Sequence, residues 1–253
     1  MATFVIVHGA FGGGWEWTGV AAALRALGHT VFTPTLAGMG ARSHLGPEVG
    51  LSTHVQDVVG TLEFEDLWDV VLCGASYGGM AATAAADRVP DRVSLVVYVD
   101  ALIPSNGQSG LDLLPAAFGD AVRSQADARG HGWVRIPDVV LPPVGLIPEK
   151  RRAHYVARLR PQPVATFTEP IALAGAIERV PRAFLRCTAG NLAAGGDPPG
   201  RCHHRPARPR GRRAPGDAGP GGRAGSAGGD DARVPRPQEP ALGLGQPRRR
   251  RRR

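Results

Sequence analysis

The sequence predicts an α/β fold with a mostly parallel sheet and helices on both faces, and three observations carry that prediction. Continuous β-branched runs recur at "TFVIV" (3–7), "DVVLC" (69–73) and "VSLVVYVDA" (93–101), as expected of strands buried on both faces. Stretches with helical spacing of apolar residues separate them, and strand–helix alternation calls for a parallel sheet with covered faces. Glycine-rich turns close two of the runs, "HGAFGGG" after the first and "GASYGG" after the second.

The first strand leads through its glycine turn into a helix on which Trp17, Val20, Ala21, Leu24 and Leu27 share a face, with Gly28 as the stop. "TVFTPT" reads as a second strand. Ser52 is placed as the cap of a helix whose apolar face is Val55, Val58, Val59 and Leu62. "DVVLC" is the third strand, the alanine-rich stretch from Met80 a helix, and "VSLVVYVDA" the fourth strand. Residues 105–180 break the rhythm: scattered prolines, a helix around Leu111 to Arg129 and another around Glu149 to Leu159 predict a helical cap over the carboxyl edge of the sheet. "RAFLRC" (182–187) is the last recognisable strand.

Composition changes near residue 190. From Asn191 onward there are 15 Arg against 5 Asp or Glu, which leaves the first 190 residues at −2 out of a formal net charge of +8. The same 63 residues hold 23 Gly plus Pro and no Phe, Trp, Tyr or Ile, too little apolar surface to offset the entropy of ordering. Residues 189–253 are therefore expected to be a disordered tail following a domain over 1–188. The tail lacks aromatics for base stacking, so at most nonspecific attraction to polyanions is expected and no specific nucleic-acid partner. Cys73, Cys187 and Cys202 show no CxxC or metal-ligand spacing, and the amino end has neither a basic n-region nor a long apolar run. A cytoplasmic setting, no membrane span and no metal are expected; the oligomeric state is left open.

Gly74-Ala75-Ser76-Tyr77-Gly78 matches G-x-S-x-G between a strand and a helix, the context a nucleophile elbow needs. Ser76 is accordingly the candidate catalytic nucleophile; a bare strand–helix turn is the bland alternative. In this architecture one oxyanion donor comes from the loop after the first strand and one from the residue after the nucleophile, which selects the amides of Ala10 and Tyr77. His8 precedes that loop and is expected to be a packed, hydrogen-bonded histidine rather than a base.

Together, "FVIVHGAFGGGWEW", "GASYGGM" and "VVYVDALIP" resemble the α/β-hydrolase superfamily, in the branch of small esterases that includes plant salicylate and jasmonate methyl esterases and hydroxynitrile lyases. The resemblance runs from about residue 3 to 188 and implies an α/β-hydrolase fold and cofactor-free hydrolysis of a small hydrophobic carboxylic ester through an acyl-enzyme. The lyases of that branch have a threonine where Gly9 stands and need a lysine near the carboxyl end, whereas the single lysine here is Lys150 in the cap, so ester hydrolysis is favoured. Trp15, Trp17 and Tyr77 beside the presumed site would suit an apolar or aromatic acyl group; core packing explains them equally well. Trp15 and Asp100 are the candidate pocket residues, while Arg42 and His44 in "GMGARSHL" are candidates for a site rim or, by default, a solvated loop.

The family places its acid just after the strand that is "AFLRC" here, and its histidine in a Gly-His pair some 25 to 30 residues on. This sequence departs at both places: no carboxylate appears until Asp197, no Gly-His pair follows, and the histidines after the elbow are His131, His154, His203 and His204. Asp100 could replace the acid but has no histidine to orient. The arginine-rich composition after codon 189 fits out-of-frame translation of a GC-rich gene, so the carboxyl-terminal part of the fold is expected to be missing. Loss of the triad histidine would impair catalysis; a non-catalytic small-molecule-binding homologue is the alternative.

Overall fold

The computed structural model describes residues 1–129, 132–136, 141 and 147–187. Five parallel strands form the main sheet: β1 (Thr3–Val7), β2 (Thr30–Phe32), β3 (Val70–Ala75), β4 (Val93–Val99) and β7 (Arg182–Leu185), in the order β2-β1-β3-β4-β7. The chain moves outward from β1 to β2 and then returns to the other side of β1 with β3. The carboxyl ends of β1 and β3 therefore flank a crevice where the strand order reverses, the place where α/β sheets hold ligands.

Side chains alternate between the two faces as the pleat requires. Val5, Val7, Val70, Leu72, Val96 and Tyr98 join the large core with α2 (Leu51–Phe64) and α3 (Gly78–Arg88). Ile6, Val31 and Cys73 face the other way and pack with Ala21 of α1 (Thr18–Ala26) in a much smaller cluster, onto which Phe4, Trp17, Leu24, Val71 and Val97 lean half-buried. Leu185 of β7 is 56 % exposed among the described residues.

The helical cap expected over 105–180 corresponds to α4 (Ala116–Arg129), α5 (Glu149–Val156) and the short α6 (Ala165–Thr168), with an antiparallel pair of two-residue strands, β5 (Trp133–Val134) and β6 (Gln162–Pro163). It packs on the loop after β1: the Arg160 amide donates to the Phe11 carbonyl at 2.9 Å and the Tyr155 hydroxyl to Glu16 Oε1 at 2.7 Å. The helix carrying Val55 begins differently from the expectation. Gly50 is its cap, and Ser52 is the second helical residue, with its amide donating to Glu169 Oε2. The predicted tail, with Asp197, His203 and His204, and His131 within the cap lie outside the described residues. Among the described residues no helix is long and apolar enough to cross a membrane.

Candidate active site

Ser76 ends β3 with φ +47°, in the left-handed region where a non-glycine residue is strained. Three backbone bonds hold it there. Its amide donates to the Val99 carbonyl at 3.1 Å, and its carbonyl accepts from Leu102 at 3.0 Å and Gly79 at 3.1 Å. The bend also requires a very close approach of α3 to β1: a Cβ on Gly78 would stand 2.5 Å from the His8 carbonyl oxygen and 2.6 Å from that of Val7. A Cβ on Gly74 would meet the Gly78 carbonyl oxygen at 2.8 Å, so both glycines of G-x-S-x-G are set by space. The Ser76 side chain emerges exposed, and among the described residues none hydrogen-bonds its hydroxyl.

Because Val7 pairs with Gly74, the loop after β1 lies beside the serine: a Cβ on Gly9 would be 3.3 Å from Ser76 Cβ and 4.0 Å from its Oγ. Ala10 follows Gly9 and Tyr77 follows Ser76. Neither amide donates a hydrogen bond among the described residues. Asp100 sits level with Ser76 on the neighbouring strand, since Ala75 pairs with Val99. It too has a positive φ, +44°; its amide donates to the Leu185 carbonyl at 2.8 Å, and its half-buried carboxylate has no hydrogen-bond partner among the described residues.

The aromatic expectations divide. Trp15 packs on Tyr155 of α5, centroids 5.4 Å apart, with the Arg158 guanidinium 5.5 Å from its ring. Trp17 lies with the α1 cluster on the far face of the sheet. The Tyr77 side chain is core, not pocket wall: 2 % exposed, its ring is 5.3 Å from that of Phe167 and 5.7 Å from that of His54. Arg42 is occupied structurally, donating to the Thr35 carbonyl at 3.1 Å and to Asp57 Oδ1 at 2.7 Å.

His8 is the packed histidine expected. Its Nε2 accepts from the Leu36 amide at 3.0 Å, so Nδ1 carries the proton and donates to the Gly9 carbonyl at 2.7 Å. His54 was not singled out from sequence and is equally buried. Its Nε2–H donates to the Ala37 carbonyl at 2.8 Å, and its Nδ1 accepts from the Tyr77 hydroxyl at 2.9 Å. Burial lowers both imidazoles from 6.5 to about 4, so both are neutral near pH 7. Burial also raises the Glu16 carboxyl, which tethers the glycine loop by accepting from the Gly13 amide at 3.3 Å. The signal for His54 was available in its i,i+4 spacing with Val58; Gln162, buried beneath Phe11, had none. A separate cavity of about 480 Å³, lined by Thr83, Ile103, Asn106, Leu173, Ile177 and Arg182 among others, does not include Ser76.

Residues 4–236 match the model of the alpha/beta hydrolase family. A carbendazim hydrolyzing esterase of Nocardioides sp. (strain SG-4G) is 42% identical over 181 residues, covering 69% of this chain and 75% of that protein. Esterase PIR7B of Oryza sativa subsp. japonica is 37% identical over 109 residues, which are 42% of this chain and 40% of that protein. Among solved structures, an extracellular alpha/beta-hydrolase from a Paenibacillus species, described as sharing structural and functional homology with tobacco salicylic acid binding protein 2, is similar with a TM-score of 0.66 at 30% identity, over 73% of this chain and 76% of that one. The strained serine between β3 and α3, the glycine loop beside it and these likenesses converge: the chain belongs to the alpha/beta hydrolase family, in its esterase branch.

Proposed function

We propose that Ser76 is the nucleophile of a carboxylic-ester hydrolase acting on a small hydrophobic ester through an acyl-enzyme. The observation that carries this reading is the left-handed Ser76, held against Gly9 of the neighbouring loop with a hydroxyl that no described residue hydrogen-bonds. The serine oxygen attacks the ester carbonyl carbon, and the Ala10 and Tyr77 amides stabilise the resulting oxyanion. Each such donor is typically worth about 3 to 4 kcal/mol in the transition state. The intermediate collapses with cleavage of the ester C–O bond, the leaving oxygen takes the proton given up by the Ser76 hydroxyl and departs as the alcohol, and water then hydrolyses the acyl group from Ser76 to a carboxylic acid. This chemistry needs no cofactor. Asp100 and Trp15 are assigned to the substrate side, Asp100 because it stands level with the nucleophile and its carboxylate has no partner among the described residues.

The proton acceptor is the weak point of the site. Both nitrogens of His8 and of His54 are already committed, and no imidazole among the described residues bonds the Ser76 hydroxyl. Absence of a triad histidine has cost on the order of a million-fold in turnover elsewhere, leaving about a thousand-fold over water from oxyanion and binding effects. Slow turnover is therefore part of the proposal. The same observation favours a second reading, a non-catalytic binder of small molecules built on the esterase scaffold.

A fluorophosphonate probe followed by peptide mass spectrometry separates the two. Covalent modification at Ser76, absent in Ser76→Ala and in denatured protein, together with slow Ser76-dependent hydrolysis of p-nitrophenyl acetate, is the expected result. Native protein that takes up no probe at Ser76 overturns the hydrolase reading.

A further inference from the structure

We infer that Gln162 is a positioning residue that sets the two oxyanion amides relative to each other from within the cap. The inference rests on the assignment of Ala10 and Tyr77 as donors and adds the group that aims them.

Phe11 directly follows Ala10, is fully buried and has φ +65°, a conformation a bulky residue keeps only when its surroundings fix it. The cap holds both of its backbone polar groups. Its amide donates to Gln162 Oε1 at 2.9 Å, and its carbonyl accepts from the Arg160 amide at 2.9 Å. With the Phe11 N–H bound to the cap, it is withdrawn from the site, while the Ala10 N–H before it has no acceptor among the described residues.

The other end of the same side chain reaches toward the nucleophile's neighbour. Gln162 Nε2 donates to Thr166 Oγ1 at 2.8 Å, and the Thr166 hydroxyl donates to the Pro163 carbonyl at 2.6 Å. Thr166 is followed by Phe167, whose ring packs on that of Tyr77, while the Tyr77 phenol donates its proton to His54 Nδ1. The rings carry the connection, with Phe167 6.0 Å from Phe11 and 5.3 Å from Tyr77. A fully buried primary amide thus ties the residue after Ala10 to Thr166, and the adjacent Phe167 ring packs on both Phe11 and the residue after Ser76. Such a site is sensitive to displacement, because an amide shifted by an ångström no longer meets the oxygen as charge develops on it.

The test compares Gln162→Met, which keeps volume and loses both bonds, with Gln162→Glu, whose buried carboxyl stays protonated and can accept from Phe11 while donating to Thr166. The readout is the Ser76-dependent rate on p-nitrophenyl acetate and on its thiono analogue, whose sulfur is a poor partner for N–H donors. Gln162→Met should lower the oxygen-ester rate by about 10- to 100-fold and the thiono rate by less than threefold, collapsing the ratio between them, with Gln162→Glu restoring at least a third of the wild-type rate. Equal losses on both substrates, or none, overturn the inference while leaving the hydrolase reading intact. Should Gln162→Met not fold, Thr166→Val carries the same prediction. Wild-type protein with neither labelling nor turnover at Ser76 removes both readings at once.

Discussion

Gly9 and Ser76 are 67 residues apart in the chain, yet a methyl group on the first would stand 3.3 Å from the Cβ of the second. That gap is tighter than ordinary van der Waals contact, so a side chain there requires its neighbours to give by a few tenths of an ångström. Gly9→Ala is expected to fold with a thermal midpoint close to wild type and to react with fluorophosphonate about tenfold more slowly, since small misplacements near a reacting centre are costly. Labelling kinetics beside a melting curve check it; an unchanged rate would show that the loop does not border the nucleophile.

Gly78 permits no such adjustment, because the atoms it would strike are the backbone oxygens of Val7 and His8. Gly78→Ala should lose about 3 kcal/mol or more of stability in urea unfolding. Gly60, in the middle of α2, is the control: a Cβ there meets only Phe64 Cδ2 at 3.8 Å, so Gly60→Ala should gain about 0.5 to 1 kcal/mol from helix propensity.

The buried histidines predict an acid limit to stability. Their imidazoles are lowered to about 4, while in the unfolded chain they titrate near 6.5. Between those values the unfolded state binds more protons than the native state. Stability from this source is complete above pH 6.5 and is lost as pH falls toward 4, by on the order of 3 kcal/mol per histidine. Urea midpoints should fall steadily between pH 7 and 4.5; a flat profile contradicts neutral, buried rings.

Asp87 holds α3 to the segment that leads into β7. Its carboxylate is 4 % exposed and accepts from the amides of Ala174 and, at 2.8 Å, Ile177. Asp87→Ala would strand two amides and should cost about 3 kcal/mol. Asp87→Asn, which retains one acceptor, should cost less. Chemical denaturation of the two variants side by side gives the order.

How much was legible from sequence follows from the range of each interaction. β1, β3 and β4 were readable because burial on both faces demands unbroken apolar runs, β7 from its short apolar stretch despite an exposed Leu185, and the strand–helix bend because its small residues are local in sequence. β5 and β6 were not, since two-residue strands have no period to detect. The Ser52 cap failed because Gly50, with an extended backbone, starts the helix two residues earlier. Tyr77 was read from adjacency to the serine, but its ring is turned into the core by distant partners, Phe167 and His54. Gln162 is the extreme case: 151 positions separate it from the amide it receives, and "RPQPVATF" carries no local sign of that pairing.

Two of the three bonds that hold Ser76 in its bend come from Val99 and Leu102, residues synthesised well after it. During translation the serine therefore remains in a relaxed backbone conformation until β4 has emerged and docked, and the glycine loop made almost a hundred residues earlier has to wait for it. Contacts of such sequence separation form slowly. Reactivity at this serine consequently reports completion of the central sheet, and a nascent chain halted near residue 90 should carry an unreactive hydroxyl.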